Sequence, residues 1–169
     1  VVIDSGLARY AEFDKAAGTT RLVTRRASQA ASAQRAGRAA RQEPGVAYRL
    51  WEEGGHAGRP AFAPPEIETA DLAPLVLKLA KWGNSDPASL PWIDPPPESA
   101  IATARSALVR MGALDDDGRI TPQGNQIASL PLDPFGAAAV LFGAEVSQAL
   151  DAGKLVLLVQ ERGLGGRGE

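Results

Sequence analysis

Residues 34–41 read Gln34-Arg35-Ala36-Gly37-Arg38-Ala39-Ala40-Arg41. Ser28 stands upstream as an N-cap residue, and Pro44-Gly45 follows as a breaker, so an alanine-rich helix from Ser28 to about Arg41 is expected. At ~100° per residue, with Gln34 at zero, Arg38 falls near ~40° and Arg41 near ~−20°. One amide and two guanidiniums therefore share a narrow face. Arg35 sits ~60° away from Arg38, in a direction suited to a structural contact. Gly37 and the alanines around it are small enough to let another surface approach closely. Guanidinium presents a rigid fork of donors matched to phosphate oxygens. A glutamine amide donates and accepts at once, and so can hold an attacking water. These are the parts that phosphoryl transfer to water requires. The spacing alone leaves open a plainer alternative, a solvated arginine-rich helix.

Upstream, residues 1–4 are an apolar run that reads as a buried strand, and its start in mid-strand suggests a beginning inside a larger domain. Residues 8–13 and 19–25 flank the polar stretch Asp14-Lys15-Ala16-Ala17-Gly18, the pattern of a β-hairpin. Downstream, residues 46–51 read as a strand, and the glycines and prolines of residues 52–65 read as a loop and domain boundary. The pattern then turns helical. Leu72, Leu75, Val76, Leu79 and Trp82 recur at helical spacing within residues 67–82. Asp86-Pro87 is a cap followed by proline at a first helical position, and residues 92–97 are a proline-rich connector. Residues 98–111 form an amphipathic helix with Ile101, Ala104, Ala107, Leu108 and Met111 inward. Gly112-Ala113-Leu114, Asp115 to Gly118 and Arg119-Ile120 form a tiny strand–turn–strand. Thr121-Pro122 opens a short helix through residue 130, Asp133-Pro134 opens a last helical region, and residues 163–169 are a glycine-rich tail expected to fray. Helices followed by a short β wing and another helix is a winged-helix-like order.

Cysteine is absent, which excludes disulfides and thiolate metal sites and makes a reducing cytoplasm the expected setting. No apolar run approaches the ~18 residues of a membrane span, and the start has no basic segment of a secretory signal. The net charge of −2 is uneven: residues 1–60 carry +4 and residues 61–169 carry −6. Seven arginines and a single acid, Glu43, lie between Arg21 and Arg49, a patch that attracts phosphates. The lone His56 reads as a loop residue. Trp51, Trp82 and Trp92 read as packing residues, Trp82 in the core. Asp115-Asp116-Asp117 diverge in a turn and read as a solvated wing tip.

Residues 34–41 resemble motif VI of the DEAH-box helicases, Q-R-x-G-R-x-G-R. The flanks resemble that family in order. Val1-Val2-Ile3-Asp4-Ser5-Gly6 is similar to the strand after motif V, Ser28-Gln29-Ala30 to the lead-in to motif VI, and residues 44–51 to the strand that follows. Pro64-Pro65-Glu66-Ile67, Asp94-Pro95-Pro96-Pro97, Gly112-Ala113-Leu114-Asp115 and Leu130-Pro131-Leu132-Asp133-Pro134 resemble its later motifs. The resemblance covers about residues 1–135 and is nearest to the bacterial HrpB-type members.

It implies an α/β fold: the end of a second RecA-like helicase domain (1–60), a winged-helix domain (61–130) and the start of an all-α ratchet-like domain (131–169). Gln34 would place the attacking water, while Arg38 and Arg41 would be arginine fingers reaching the γ-phosphate of ATP. Arg21, Arg25 and Arg26 on the hairpin would meet the backbone of single-stranded RNA, with DNA as the alternative. Ala40 departs from the family, which usually has glycine there. No G-x-x-x-x-G-K-[ST] phosphate loop and no Asp-Glu-Ala-His run occurs. ATP and Mg2+ would be held mainly by an N-terminal RecA-like domain that the sequence lacks, and this chain alone is expected not to hydrolyse ATP. The competing readings are a non-enzymatic winged-helix module for nucleic acid or protein, and an inactive remnant.

Overall fold

The structure, a computed structural model, describes residues 1–14 and 19–160. The expected hairpin turn and the glycine-rich tail lie outside them. Two compact units divide the chain, Val1–Asp71 and Leu72–Glu169.

The first unit contains a parallel pair, β1 (Val2–Asp4) with β4 (Ala47–Arg49), in the register Val2↔Ala47 to Asp4↔Arg49. Between them run an antiparallel hairpin, β2 (Leu7–Asp14) and β3 (Thr19–Arg26), and a helix, α1 (Gln29–Gly37). The hairpin forms as its polar connector predicted, with Leu7 opposite Arg26 and Asp14 opposite Thr19. Strand β1 departs from expectation. Only Asp4 is buried, and Ile3 is 70% exposed, because among the described residues β1 pairs with β4 alone.

Ser28 caps α1 as expected, its Oγ accepting from the Ala31 N–H at 3.1 Å. The helix, however, ends at Gly37 and tightens into a 3-10 turn over Arg38–Ala40. The Arg38 N–H bonds back to the carbonyls of Ala36 and Arg35. A reason lies in the return of the chain, where Gly45 packs so closely on the Ala39 carbonyl that any Cβ at that position would collide with it. Residues 52–65 are not wholly loop. Gly54–Ala57 form one helical turn, α2, which carries His56 with its ring half-buried against Trp51.

The sequence reading joined residues 67–82 into one helix. Two form instead, α3 (Glu66–Thr69) and, in the second unit, α4 (Ala73–Lys81). Trp82 is 87% exposed rather than in the core. The buried residues of α4 and its cap (Leu72, Ala73, Val76, Leu77, Leu79 and Ala80) span an arc whose centre lies ~140° from Trp82. The leucine period alone placed that arc too far round.

Helix α4 packs on α5 (Glu98–Arg110) and on α7 (Pro134–Glu145), and α7 packs on α6 (Pro122–Ile127) and α8 (Ala149–Gln160). Ala104, Ala107 and Leu108 of α5 are buried as predicted, and Ile101 and Met111 are half-buried. Full burial of Leu108 and Ile127 stabilises this unit by about 2 kcal/mol each. The expected wing is a single antiparallel bridge, Leu114↔Ile120, closed by the Asp115 N–H to the Arg119 carbonyl at 2.9 Å. Thr121 and Asp133 cap α6 and α7 with their side-chain oxygens. Helix α6 stops at Ile127, short of residue 130. Asp86 caps only a 3-10 turn, Pro87–Ser89. No described helix is long and apolar enough to cross a membrane.

Candidate functional site

Helix α1 buries one side. Ser28 and Ser32 are almost fully covered, and both lie more than ~120° round the helix from Gln34. Gln34, Arg38 and Arg41 are exposed on the opposite side. In a 3-10 turn residues three apart eclipse, so Arg41 stands in line with Arg38 about 6 Å further along the axis. The tightening therefore keeps Arg38 and Arg41 on the same side of the chain. Neither Arg38 nor Arg41 forms an ion pair among the described residues. Gly37 has open space at its missing Cβ, and Ala40 is exposed.

Arg35, in the same motif, is held quite differently. Its Nε donates to Asp4 Oδ2 at 3.1 Å and its Nη1 to the Leu7 carbonyl at 3.1 Å. Its Nη2 lies 3.0 Å from Asp4 Oδ1, an ion-pair contact without hydrogen-bond geometry. Asp4 is buried and also accepts the Gly6 N–H at 2.8 Å. The structural contact read from Arg35's direction on the helix is thus with the end of β1.

The hairpin arginines divide by face. Arg21 and Arg25 project on the same side as Glu12 and Asp14, since alternate residues share a face. Arg25 bonds Glu12 at 2.7 Å and Arg21 lies 3.7 Å from Asp14. Arg26 projects to the other side, with Arg9, Leu7 and Leu22, all exposed. Arg26 and Arg9 have no carboxylate partner among the described residues. Arg9 was not singled out in the sequence, although strict alternation from Arg26 across the hairpin pointed to it.

The sequence also gave no hint of Arg59. It is 7% exposed, it donates from Nη1 to the carbonyls of Gly6 at 2.6 Å and Ala27 at 3.1 Å, and its guanidinium lies 4.2 Å from the centre of the Trp51 ring. The flanking chain covers the start of α1: the N–H groups of Gln29 and Ala30 bond the carbonyls of Pro60 and Ala61. Trp51 is thereby a packing residue, as is Trp92, whose Nε1 donates to the Pro87 carbonyl at 2.8 Å. The three aspartates of the wing separate, Asp115 capping the Arg119 N–H and Asp117 pairing with the Arg119 side chain.

Residues 104–132 match the family described as helicase associated domain (HA2), winged-helix. The ATP-dependent RNA helicase HrpB of Escherichia coli is 38% identical over 161 residues, covering 95% of this chain and 20% of that protein. A probable ATP-dependent RNA helicase of Mus musculus, DHX34, is 37% identical over 148 residues, covering 88% of this chain and 13% of that protein. The crystal structure of the E. coli DEAH/RHA helicase HrpB superposes with a TM-score of 0.88 at 38% identity, over 99% of this chain and 21% of that one. The chain thus spans about a fifth or less of the length of these relatives. Over nearly all of its own length it is related to the DEAH-box RNA helicases, HrpB among them, and it carries their helicase-associated winged helix.

Proposed function

We propose that this chain is a segment of an ATP-dependent RNA helicase, working in the cytoplasm, in which it forms the end of the second RecA-like domain, the winged helix and the start of a ratchet-like domain. Gln34 positions the water that attacks the γ-phosphate. Arg38 and Arg41 neutralise the charge that spreads over the transferred phosphoryl group. Magnesium and most contacts to ATP come from a separate RecA-like domain, because this sequence has neither the phosphate loop nor the Asp-Glu-Ala-His carboxylates. Single-stranded RNA passes the hairpin, where arginines meet its phosphates without reading sequence.

The observation that carries the reading is the contrast within one motif. Arg35 is tied to Asp4, while Gln34, Arg38 and Arg41 stand exposed on the face opposite the buried one, and neither arginine has an ion-pair partner among the described residues.

The test is ATP hydrolysis by the complete enzyme carrying this segment. Arg38→Ala and Arg41→Ala are each expected to lower kcat by about 10³-fold or more, with RNA affinity retained. Unchanged turnover in both variants would overturn the assignment and favour a winged-helix module that binds without a nucleotide.

A further inference from the structure

Two buried or half-buried arginines grip the root of the hairpin from opposite sides. Arg35 reaches from α1 to the Leu7 carbonyl, at the first residue of β2. Arg59 reaches from the chain beyond β4 to the carbonyls of Gly6 and Ala27, the residues just outside the two hairpin strands. The Ala27 N–H closes the ring on the Gly6 carbonyl at 2.9 Å. Asp4 ties the same root to α1 by accepting the Gly6 N–H and holding Arg35.

Gly6 shows how tight this junction is. Its φ is +71°, a conformation that L side chains rarely adopt, and a Cβ there would lie 2.5 Å from Arg59 Nη2 and 2.6 Å from the Trp51 ring. Arg59 is also an expensive choice for packing alone. Among the described residues it has no carboxylate partner, and its Nε is buried without a hydrogen bond. A charge buried against carbonyls and one ring face is less stable than an apolar side chain of similar volume. The Arg59 Nη1 nevertheless serves two carbonyls while the guanidinium carbon lies 4.2 Å from the centre of the Trp51 ring.

We infer that Arg59, with Trp51 behind it, is a positioning residue that makes the hairpin root and the helix carrying Gln34, Arg38 and Arg41 move as one body, so that RNA engaged by the hairpin orients the fingers. The inference rests on the proposed helicase function and adds a coupling residue to it. Arg59 is buried, with its guanidinium held by two carbonyls and the Trp51 ring, so it acts through the elements it holds. Its loss therefore changes how strongly RNA stimulates hydrolysis, and leaves hydrolysis without RNA in place.

The experiment measures ATPase turnover of the complete enzyme with and without single-stranded RNA, together with RNA affinity and melting temperature, for the wild type, Arg38→Ala, Arg59→Lys and Trp51→Leu. Arg59→Lys keeps the charge and a donor near the carbonyls but loses the guanidinium that lies over the Trp51 ring, and Trp51→Leu keeps both carbonyl contacts but removes the ring. The expected result for Arg59→Lys is a stimulation factor reduced about 10-fold, with basal turnover and RNA affinity within about 3-fold of wild type. Trp51→Leu is expected to lose about 3-fold in stimulation. Full stimulation in a folded variant would overturn the inference. So would an equal fall in basal and stimulated turnover, which marks a general structural role. If Arg59→Lys does not fold, Trp51→Leu is read by the same criteria. Failure of the underlying function looks different, because Arg38→Ala would then hydrolyse ATP like the wild type.

Discussion

Two arginines three residues apart in one motif have opposite relations to stability. Removing Arg35 leaves the Asp4 carboxylate buried without its counter-charge, a change that costs about 3 kcal/mol even at the lower end for such pairs, since Arg35 is itself partly exposed. Arg38→Ala removes no contact that the fold uses and is expected to shift stability by no more than about 0.5 kcal/mol. Urea denaturation of the two variants checks the contrast, and equal losses would mean that Arg38 is also structural. The direction of Arg35 away from Arg38 was legible in the sequence, because helical geometry assigns directions to residues this close together. Arg59 was not. It stands between glycine and proline with no periodicity around it, and its partners Gly6 and Ala27 are distant in the chain. No local pattern encodes a bond that only tertiary folding brings about.

Among the elements, the hairpin has two unequal faces. Arg21 and Arg25 are partly neutralised by Asp14 and Glu12, whereas Arg9 and Arg26 project from the opposite face with no carboxylate partner among the described residues. If that face meets the RNA backbone, Arg26→Ala and Arg9→Ala should each reduce the slope of log affinity against log salt by about 0.7, the loss of one phosphate contact on a single strand. Arg25→Ala should change it less. Fluorescence anisotropy across a salt series separates these outcomes, and the reverse order would place the RNA on the paired face. The strands and their register were readable from alternation around a polar connector. The 3-10 turn after Gly37 was not, since the tightening depends on Gly45 folding back onto Ala39. The break between α3 and α4 falls at Ala70, whose backbone is extended, just ahead of Pro74 in the first turn of α4, and the buried arc of α4 is set by Ala73, Leu77 and Ala80 as much as by Leu72, Val76 and Leu79.

At the scale of the whole molecule, the proposed fingers have no phosphate loop in this sequence to serve, so the chain should show no ATP turnover by itself, with or without RNA. Phosphate release by the purified chain is the direct check, and RNA-stimulated release would require a nucleotide site that the sequence does not reveal. The order of strand, hairpin, helix and wing could be read in advance because each begins or ends at a side chain with a local reason to be there, such as Ser28, Thr121 and Asp133. The clamped root has one more consequence. The eight-residue strands of the hairpin extend about 27 Å from a base whose position does not depend on their length. Removing two residues from each strand next to the base would shorten the arm by about 7 Å and keep every remaining side chain on its own face, whereas removing one there would turn the rest of the arm over and exchange its faces. The arm is in effect a ruler, and related chains can set its reach in steps of two residues while leaving the base untouched.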